Sequence, residues 1–379
     1  MVSKTPLSLP VFNGNENLYT QQAIASGQIA TSGKFINRFE VKLSKRLKTH
    51  ESVALNSGTS ALHLAMVLFG IEPGDEVICQ SFTFCASANP IVYLGAKPIF
   101  VDSEKDTWNI CPDLLEDTIL SRIAKGKKPK AIVLVHLFGM PAKMKEILDI
   151  STKYNIPVLE DAAEAIGSKY QDRDCGTFGQ IGVYSFNGNK IITAGGGGAL
   201  ISNDTSVIQH ARHLSTQARE DLPFYHHLEI GYNYKMNNLS AAVGLAQLEQ
   251  LDNCVKSRRA VNQRYRTMLK DFPGINFQTE SIESKSNYWL TTILVDQEKT
   301  GFSNKQLKQA LSNRGIESRY LWKPLHTQPI FNNTAYYGGN MSEKLFAKGL
   351  CLPSSANLTL QNQEMIVEVI HEELSKTFK

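Results

Sequence analysis

Short apolar runs alternate with longer segments of helical period between about residues 50 and 200. The apolar runs predict strands at residues 52–55, 76–79, 98–101, 131–136, 157–160, 182–186 and 198–201. The intervening segments predict helices at residues 60–69, 86–94, 112–124 and 144–154. Repeated β-α units of this kind predict a predominantly parallel sheet that helices cover on both faces.

The pattern changes after about residue 238, where apolar residues three and four apart predict one long helix over 239–250 that continues through 254–269. A smaller α+β region follows, with predicted strands at 288–295 and 316–320 and predicted helices at 304–313 and 361–374. At 379 residues the chain is too long for one ordinary core. We therefore expect an amino-terminal arm over 1–30 with a helix at 17–26, a large domain over 31–250 and a small carboxyl-terminal domain over 251–379.

The composition is that of a water-soluble protein and argues against nucleic acid as a partner. Forty basic against 36 acidic residues give a net charge of only +4, and the basic cluster at 125–130 is typical of a solvated loop. The chain has no apolar run of about 18 residues, and its first residues lack the apolar core of a secretory signal. We therefore expect a cytoplasmic protein without a membrane span. Its six cysteines form no C-x-x-C pair or metal-ligand cluster, which predicts reduced thiols and no metal site.

Lys190 is the first candidate for chemistry, because it lies between the predicted strand 182–186 and the four glycines at 195–198. Its neighbours are apolar, small or loop-forming rather than the charged residues of an ordinary surface. A partly desolvated amine there suits a Schiff base with an aldehyde, of which pyridoxal phosphate is the usual one. The glycines do not follow the order of a P-loop, and a flexible hairpin is the alternative.

Two further stretches suit the rest of such a cofactor. Residues 56–62, with Gly58, Thr59 and Ser60, follow a strand and open a helix, which favours a phosphate site although an ordinary helix cap is an alternative. Asp161 ends an apolar strand, where it suits a pyridine nitrogen or, alternatively, a helix cap. A metal site formed by Glu160, Asp161 and Glu164 is disfavoured because no histidine lies at ligand spacing.

These stretches occur in the order phosphate loop, ring-nitrogen acid and Schiff-base lysine, with Lys190 29 positions after Asp161. In this order the chain resembles the fold-type I pyridoxal phosphate enzymes, and within them the DegT/DnrJ/EryC1/StrS family of nucleotide-sugar aminotransferases. The resemblance runs from about Gly33 to Pro353. It is carried by residues 56–62, 74–78, 81–84, 135–139, 160–163, 231–236 and 324–326. It implies an aspartate-aminotransferase-like, three-layer α/β/α fold with a smaller carboxyl-terminal α+β domain.

The resemblance also implies roles for single residues. Lys190 is the catalytic amine, Ser185 binds phosphate, and Phe84 stacks on the cofactor ring. Glu164 lies near the cofactor's phenolic oxygen, where the family often has glutamine and a carboxylate would need compensation. Asn233 reaches the phosphate of a neighbouring subunit, which implies a homodimer with shared active sites. Substrate hydroxyls and diphosphate are assigned to Lys34, Arg319, Tyr320 and His326, with a packed loop histidine as the alternative for His326.

Lys190 favours transamination, because family members that dehydrate or deoxygenate the sugar carry histidine at its position. We therefore expect transfer of an amino group from L-glutamate to the C4 ketone of a nucleotide-linked 4-keto-6-deoxy sugar. UDP-2-acetamido-4-keto-2,4,6-trideoxyhexose is the first choice, with GDP-4-keto-6-deoxymannose and dTDP-4-keto-6-deoxyglucose close behind. A pyridoxal phosphate-dependent sugar dehydratase and a non-catalytic regulator that binds the cofactor are the remaining alternatives.

Overall fold

A computed structural model describes residues 5–12, 14–49 and 51–377. Residues 1–4 and 13 of the predicted arm, residue 50, and residues 378–379 of the predicted small domain lie outside the described residues. Within the described part of the chain the strands are β1 Glu51–Leu55, β2 Glu76–Gln80, β3 Lys97–Val101, β4 Ala131–Val135, β5 Val158–Asp161, β6 Lys169–Tyr170, β7 Arg173–Asp174, β8 Ile181–Ser185, β9 Gly198–Ser202, β10 Ile275–Phe277, β11 Ser284–Lys285, β12 Thr291–Val295, β13 Arg319–Tyr320, β14 Tyr336–Tyr337 and β15 Gly349–Leu352.

The helices follow the predicted alternation through the first half of the chain. They are α1 Glu16–Ala25, α2 Lys34–Leu47, α3 Gly58–Leu68, α4 Asn89–Tyr93, α5 Pro112–Ala124, α6 Met144–Tyr154, α7 Thr205–Leu214, α8 Asn238–Glu249, α9 Leu251–Met268, α10 Gln297–Thr300, α11 Asn304–Asn313, α12 Met341–Lys348 and α13 Leu360–Thr377. Short 3₁₀ turns occur at Cys85–Ser87, Leu137–Gly139, Leu325–Thr327 and Pro329–Phe331.

The large sheet has eight strands in the order β1-β9-β8-β5-β4-β2-β3-β14. Strand β9 runs antiparallel to both of its neighbours, and every other pair is parallel. Both faces are covered: Ile132 and Leu134 of β4 pack with helices α5 and α6, whereas Val133 packs with the cluster that contains α3 and α7. The predicted mostly parallel, three-layer α/β/α arrangement is thus confirmed.

The carboxyl-terminal part has its own four-stranded sheet, in the order β10-β12-β15-β13, and a separate apolar core with α9, α11 and α13. We propose a domain boundary near Gln250, where the backbone leaves the helical region between α8 and α9. The single long helix predicted there was therefore wrong in its continuity. The proposed division is crossed by strand pairing as well, because β14 extends the large sheet, β11 pairs with β6 in a three-stranded sheet β11-β6-β7, and Thr5 bridges to Ile316.

Other differences from the predicted elements have local causes. Helix α2 was not predicted, although its buried Phe35, Phe39 and Leu43 repeat at helical spacing. The predicted helix 86–94 is a 3₁₀ turn and the short α4, because Pro90 has no N–H to continue a helix from residue 86 and lies instead in the first turn of α4. The strand predicted at 288–295 begins only at Thr291, because Tyr288 has a φ of 45°. Among the described residues, no helix has the length and apolar character that crossing a membrane requires.

Candidate active site

The carboxyl ends of the parallel strands β1, β8, β5, β4 and β2 meet at one edge of the large sheet, where α/β proteins bind ligands. A cleft of about 430 Å³ opens at this edge. The predicted cofactor residues that line it are Gly58, Thr59, Phe84, Asp161, Glu164, Ser185 and Lys190. Residues more than 130 positions apart in the sequence are thus brought to one cavity by the strand order.

The start of α3 supplies hydrogen-bond donors at one end of the cleft. Ser57 caps the helix by accepting the N–H of Ser60 at 3.0 Å. The N–H groups of Gly58 and Thr59 belong to the first turn, which has no intrahelical acceptor, and they lie beside Ser185. A helix N-terminus with a neighbouring hydroxyl suits a phosphate group.

Ser60 has a different place from the predicted one. Its hydroxyl donates to Asn56 Oδ1 at 2.7 Å and lies 2.8 Å from Ser57 Oγ. Its side chain therefore supports the loop, and Ser60 is not among the residues that line the cleft. Ser57 forms the helix cap, and the N–H groups of Gly58 and Thr59 stay available to a phosphate. The predicted phosphate site and the alternative of an ordinary helix cap are therefore compatible.

Gly198 allows the β9 strand to pass close to this loop. A Cβ atom at Gly198 would lie 2.4 Å from the carbonyl carbon of Ser57, which is shorter than any real contact. Gly198 thus serves a close backbone approach beside the start of α3. A Cβ atom at Gly195 would meet nothing within 4 Å, and this glycine belongs to the connection between the antiparallel strands β8 and β9, as in the hairpin alternative.

Asp161 is a buried carboxylate of the cleft, at the end of β5. Its Oδ2 accepts the hydroxyl of Ser87 at 2.7 Å, and its Oδ1 accepts the N–H of Ala163 at 3.1 Å. Burial raises the pKa of Asp161, and the hydrogen bonds and the nearby Lys190 oppose that effect only in part. A cationic group placed beside Asp161 would favour its ionised form, as a protonated pyridine nitrogen does.

Lys190 lies on the loop after β8, and its side chain is 13% exposed. Its Nζ is 3.4 Å from Glu164 Oε1 and 4.1 Å from the centroid of the Trp289 ring. The amine is thus held between a carboxylate and an aromatic face, rather than among apolar groups as its sequence neighbours indicated.

Glu164 has the compensation that a carboxylate at its position requires. Its Oε2 accepts the N–H of Phe138 at 2.7 Å, and its Oε1 faces Lys190 Nζ. Burial raises the pKa of Glu164, although the charge of Lys190 acts in the opposite direction.

The groups of the cleft fit pyridoxal phosphate. The first turn of α3 with Ser185 suits its phosphate, Asp161 suits its ring nitrogen, and Lys190 suits its aldehyde. The half-exposed Phe84 ring lies 5.2 Å from that of Trp322, which leaves an aromatic face toward the cleft. Donor, acid and amine therefore occur together in the set that this cofactor requires.

The predicted substrate residues are only partly brought together. Arg319 lines the cleft and also a neighbouring cavity of about 220 Å³, where it is joined by Tyr320. His326 lies elsewhere: its Nδ1 is 2.6 Å from Ser81 Oγ, its Nε2 is 3.2 Å from Glu343, and its ring stacks on Tyr336. That packing corresponds to the alternative of a packed loop histidine.

Two further predicted residues lie on the surface of this single chain. Lys34 is exposed at the start of α2 and donates to Gln22 at 3.2 Å. Asn233 is also exposed, and its carbonyl accepts the side-chain amide of Asn56, which lines the cleft. Their predicted roles stay predictions.

Trp289 and Ser87 line the cleft but were not singled out from the sequence. Trp289 lies far from Lys190 in the chain, within a segment predicted as strand, so nothing local indicated its position. Ser87 lies three residues after the segment 81–84 that carries the family resemblance, and this proximity was the one available signal.

Comparison with known proteins agrees with this geometry. The profile of the DegT/DnrJ/EryC1/StrS aminotransferase family matches residues 11–371. The putative pyridoxal phosphate-dependent aminotransferase EpsN of Bacillus subtilis (strain 168) is 46% identical over 374 residues, with 98% of this chain and 96% of EpsN covered. The GDP-perosamine synthase of Escherichia coli O157:H7 is 36% identical over 367 residues, with 97% and 98% covered.

A solved structure shares the fold over almost its whole length. Helicobacter pylori PseC, an aminotransferase involved in the biosynthesis of pseudoaminic acid, superposes with a TM-score of 0.90 at 26% identity. The likeness covers 99% of this chain and 100% of PseC. The chain therefore belongs to the DegT/DnrJ/EryC1/StrS aminotransferase family and is a pyridoxal phosphate-dependent sugar aminotransferase.

Proposed function

We propose that the protein moves the amino group of L-glutamate to the C4 ketone of a nucleotide-linked 4-keto-6-deoxy sugar, in the cytoplasm, for surface polysaccharide or glycan biosynthesis. The first-choice acceptor is UDP-2-acetamido-4-keto-2,4,6-trideoxyhexose. The observation that carries transamination is the amine of Lys190, which lies in the cleft between Glu164 and Trp289. A histidine there would favour dehydration, and a pure regulator has no use for a base at this point.

In this proposal, different residues of the cleft bind different parts of the cofactor. When bound, pyridoxal phosphate supplies an aldehyde that condenses with amines and a ring that withdraws electrons from the reacting carbon. The N–H groups of Gly58 and Thr59 and the Ser185 hydroxyl bind the phosphate oxygens. Asp161 holds a proton on the ring nitrogen, which keeps the ring electron-withdrawing.

Lys190 Nζ acts as the base that takes a proton from the amino donor and returns it to the cofactor. Glu164 Oε1 faces this nitrogen and stabilises it while it carries the extra proton. The same two atoms act in reverse when the keto sugar takes up the amine, since each half-reaction uses the same proton path.

The sugar nucleotide has room beside the cofactor. The smaller cavity shares Asn189, Trp289, Arg319 and Trp322 with the main cleft, so the two form neighbouring compartments. The guanidinium of Arg319 suits a diphosphate, and it pairs with Glu317 at 2.8 Å. We assign Arg319 and Tyr320 to the nucleotide side and retain Lys34 as a prediction.

A panel of keto sugars tests the acceptor. Amine transfer from ¹⁵N-labelled L-glutamate to UDP-, GDP- and dTDP-linked 4-keto-6-deoxy sugars is measured by mass spectrometry. We expect kcat/KM at least about tenfold higher for the UDP-acetamido sugar than for the others. The second candidate, GDP-4-keto-6-deoxymannose, is favoured by the likeness to GDP-perosamine synthase. A preference for the GDP sugar would replace the first choice, and labelled amine in none of the sugars would contradict both.

We further propose that the working unit is a homodimer with shared active sites. Phe224, Tyr225, Leu228 and Ile230 are between 61% and 84% exposed on the loop before Asn233, as is typical of a surface that a partner covers. Mixing inactive Lys190→Ala and Asn233→Ala dimers should then restore up to about a quarter of wild-type activity, because half the mixed population carries one intact site. Sedimentation velocity gives the mass of the active species. An active monomer, or a mixture that stays inactive after subunit exchange, would contradict shared sites.

A further inference from the structure

Arg258 of α9 is a buried cation behind the cleft, with only 1% of its surface exposed. Its Nη1 donates to the carbonyl of Trp289 at 2.5 Å, and its Nη2 donates to the hydroxyl of Ser8 at 3.1 Å. Among the described residues its Nε has no hydrogen-bond partner. Burial lowers the pKa of Arg258 to about 10, and no carboxylate in the described part of the chain contributes to it. Burying a charged group costs free energy, which indicates a specific role for the two residues that accept hydrogen bonds from Arg258.

Both residues that Arg258 holds converge on one atom, the carbonyl oxygen of Asn189. The Ser8 hydroxyl donates to this oxygen at 2.8 Å, and the indole N–H of Trp289 donates to it at 2.7 Å. Asn189 directly precedes Lys190 in the chain. The ring of Trp289 also lies 4.1 Å from Lys190 Nζ, so the tryptophan is fixed at its carbonyl, its indole nitrogen and its face.

Ser8 belongs to an amino-terminal strap, which we define as residues 5–9. The strap is bound along its length to the carboxyl-terminal part of the chain. The Glu317 N–H donates to the Thr5 carbonyl at 2.8 Å, and the Ser354 N–H donates to the Leu7 carbonyl at 2.7 Å. The hydroxyl of Ser8 therefore reaches Asn189 from a backbone that is itself fixed.

We infer that Arg258 and Ser8 are positioning residues that hold the Asn189 carbonyl and the Trp289 ring, and through them fix the Lys190 amine for attachment to the cofactor. The inference rests on the proposed role of Lys190. A lysine has four rotatable side-chain bonds, so fixing the preceding carbonyl and the surface below its Nζ removes much of its freedom before reaction. Ser8 links Arg258 to the loop that carries Lys190, because its oxygen accepts a hydrogen bond from Arg258 while its hydroxyl donates one to the Asn189 carbonyl.

Ser8→Ala removes the relay and leaves the buried cation in place, whereas Arg258→Met removes the donors and keeps most of the side-chain volume. Pyridoxal phosphate is added to the cofactor-free proteins, the attached cofactor is fixed with borohydride, and peptide mass spectrometry measures it at residue 190. We expect both variants to attach the cofactor about tenfold more slowly than wild type. Arg258→Lys, which keeps a cation but not the fork of donors, should recover part of the rate.

Two controls separate positioning from general damage. Pyridoxamine phosphate has no aldehyde, so its affinity reports the rest of the site, and we expect it to stay within about twofold of wild type in all variants. Arg314→Met removes an exposed arginine that pairs with Glu372 and should attach the cofactor at the wild-type rate.

Attachment at the wild-type rate in Ser8→Ala would overturn the inference. So would a parallel loss of pyridoxamine phosphate affinity, because that result indicates a general effect on the site. A wild-type protein that attaches no cofactor at residue 190 would instead refute the proposed role of Lys190.

Discussion

Replacement of Lys190 by alanine is expected to lower kcat at least about 10⁴-fold and to abolish covalent attachment of the cofactor. The variant loses the amine that forms the bond and the base that moves the proton, and no other lysine of the described residues lines the cleft. Glu164 remains, but it loses the cation that it faces at 3.4 Å. Stopped-flow absorbance of the bound cofactor after addition of L-glutamate measures the first half-reaction directly.

Lys190→Arg is the matched control for charge. Its guanidinium keeps a cation near Glu164 and over the Trp289 ring, but it stays protonated at neutral pH and cannot act as a base. We expect Lys190→Arg to bind pyridoxamine phosphate far better than Lys190→Ala and to be equally inactive. Turnover within about tenfold of wild type in either variant would refute the assignment of Lys190 as the catalytic amine.

Much of the large sheet was predictable because its strands are buried on both faces. Such strands are nearly continuous apolar runs, and the fully buried β4, Ala131–Val135, is one example. The same argument located the cofactor end of the site, since residues that follow parallel strands converge at one edge. Gly58, Asp161 and Ser185 lie together for this topological reason.

The remaining site residues depend on contacts that no local pattern records. Trp289 reaches Lys190 from almost 100 positions away, and Arg258 reaches Ser8 across 250 positions. A lone arginine in an amphipathic helix looks like any solvated cation until its burial is known. Helix α2 is a different case, because its apolar spacing is present in the sequence and could have been read from it.

Asp161→Asn should lower kcat about 10²–10³-fold, which is the usual effect of removing one preorganised electrostatic partner. Asparagine keeps the shape: its oxygen can still accept the N–H of Ala163, and its NH₂ group can donate to the Ser87 hydroxyl in place of the bond that Asp161 accepts. It carries no charge, so it no longer holds a proton on the ring nitrogen. We expect the loss in the glutamate half-reaction, with KM for glutamate nearly unchanged, because the proposed partner of Asp161 is the cofactor ring and not the amino donor.

The same substitution should stabilise the cofactor-free protein at neutral pH. Burial raises the pKa of Asp161 above its ordinary 3.8, so between the two values the folded state holds a proton that the unfolded state has lost. Stability therefore falls as pH rises through that window, and the whole penalty is present above it. Asparagine removes this penalty, so Asp161→Asn should melt higher than wild type at about pH 8 and similarly near about pH 4.

Asp102→Asn is a control for which we expect the opposite change in stability. Asp102 also lies at the end of a strand, β3, but it does not line the cleft. Burial alone would raise its pKa, but hydrogen bonds from Ser342 and Ser103 lower it below the ordinary value. Ionised Asp102 therefore stabilises the folded protein at pH values above the pKa of the unfolded state. The Asp102→Asn variant loses this stabilisation at about pH 8. We expect this variant to melt lower and to retain turnover while folded. If Asp161→Asn also melted lower at that pH, the folded protein would already stabilise the negative charge of Asp161. That result would contradict the proposal that this carboxylate is stabilised by a cationic cofactor ring.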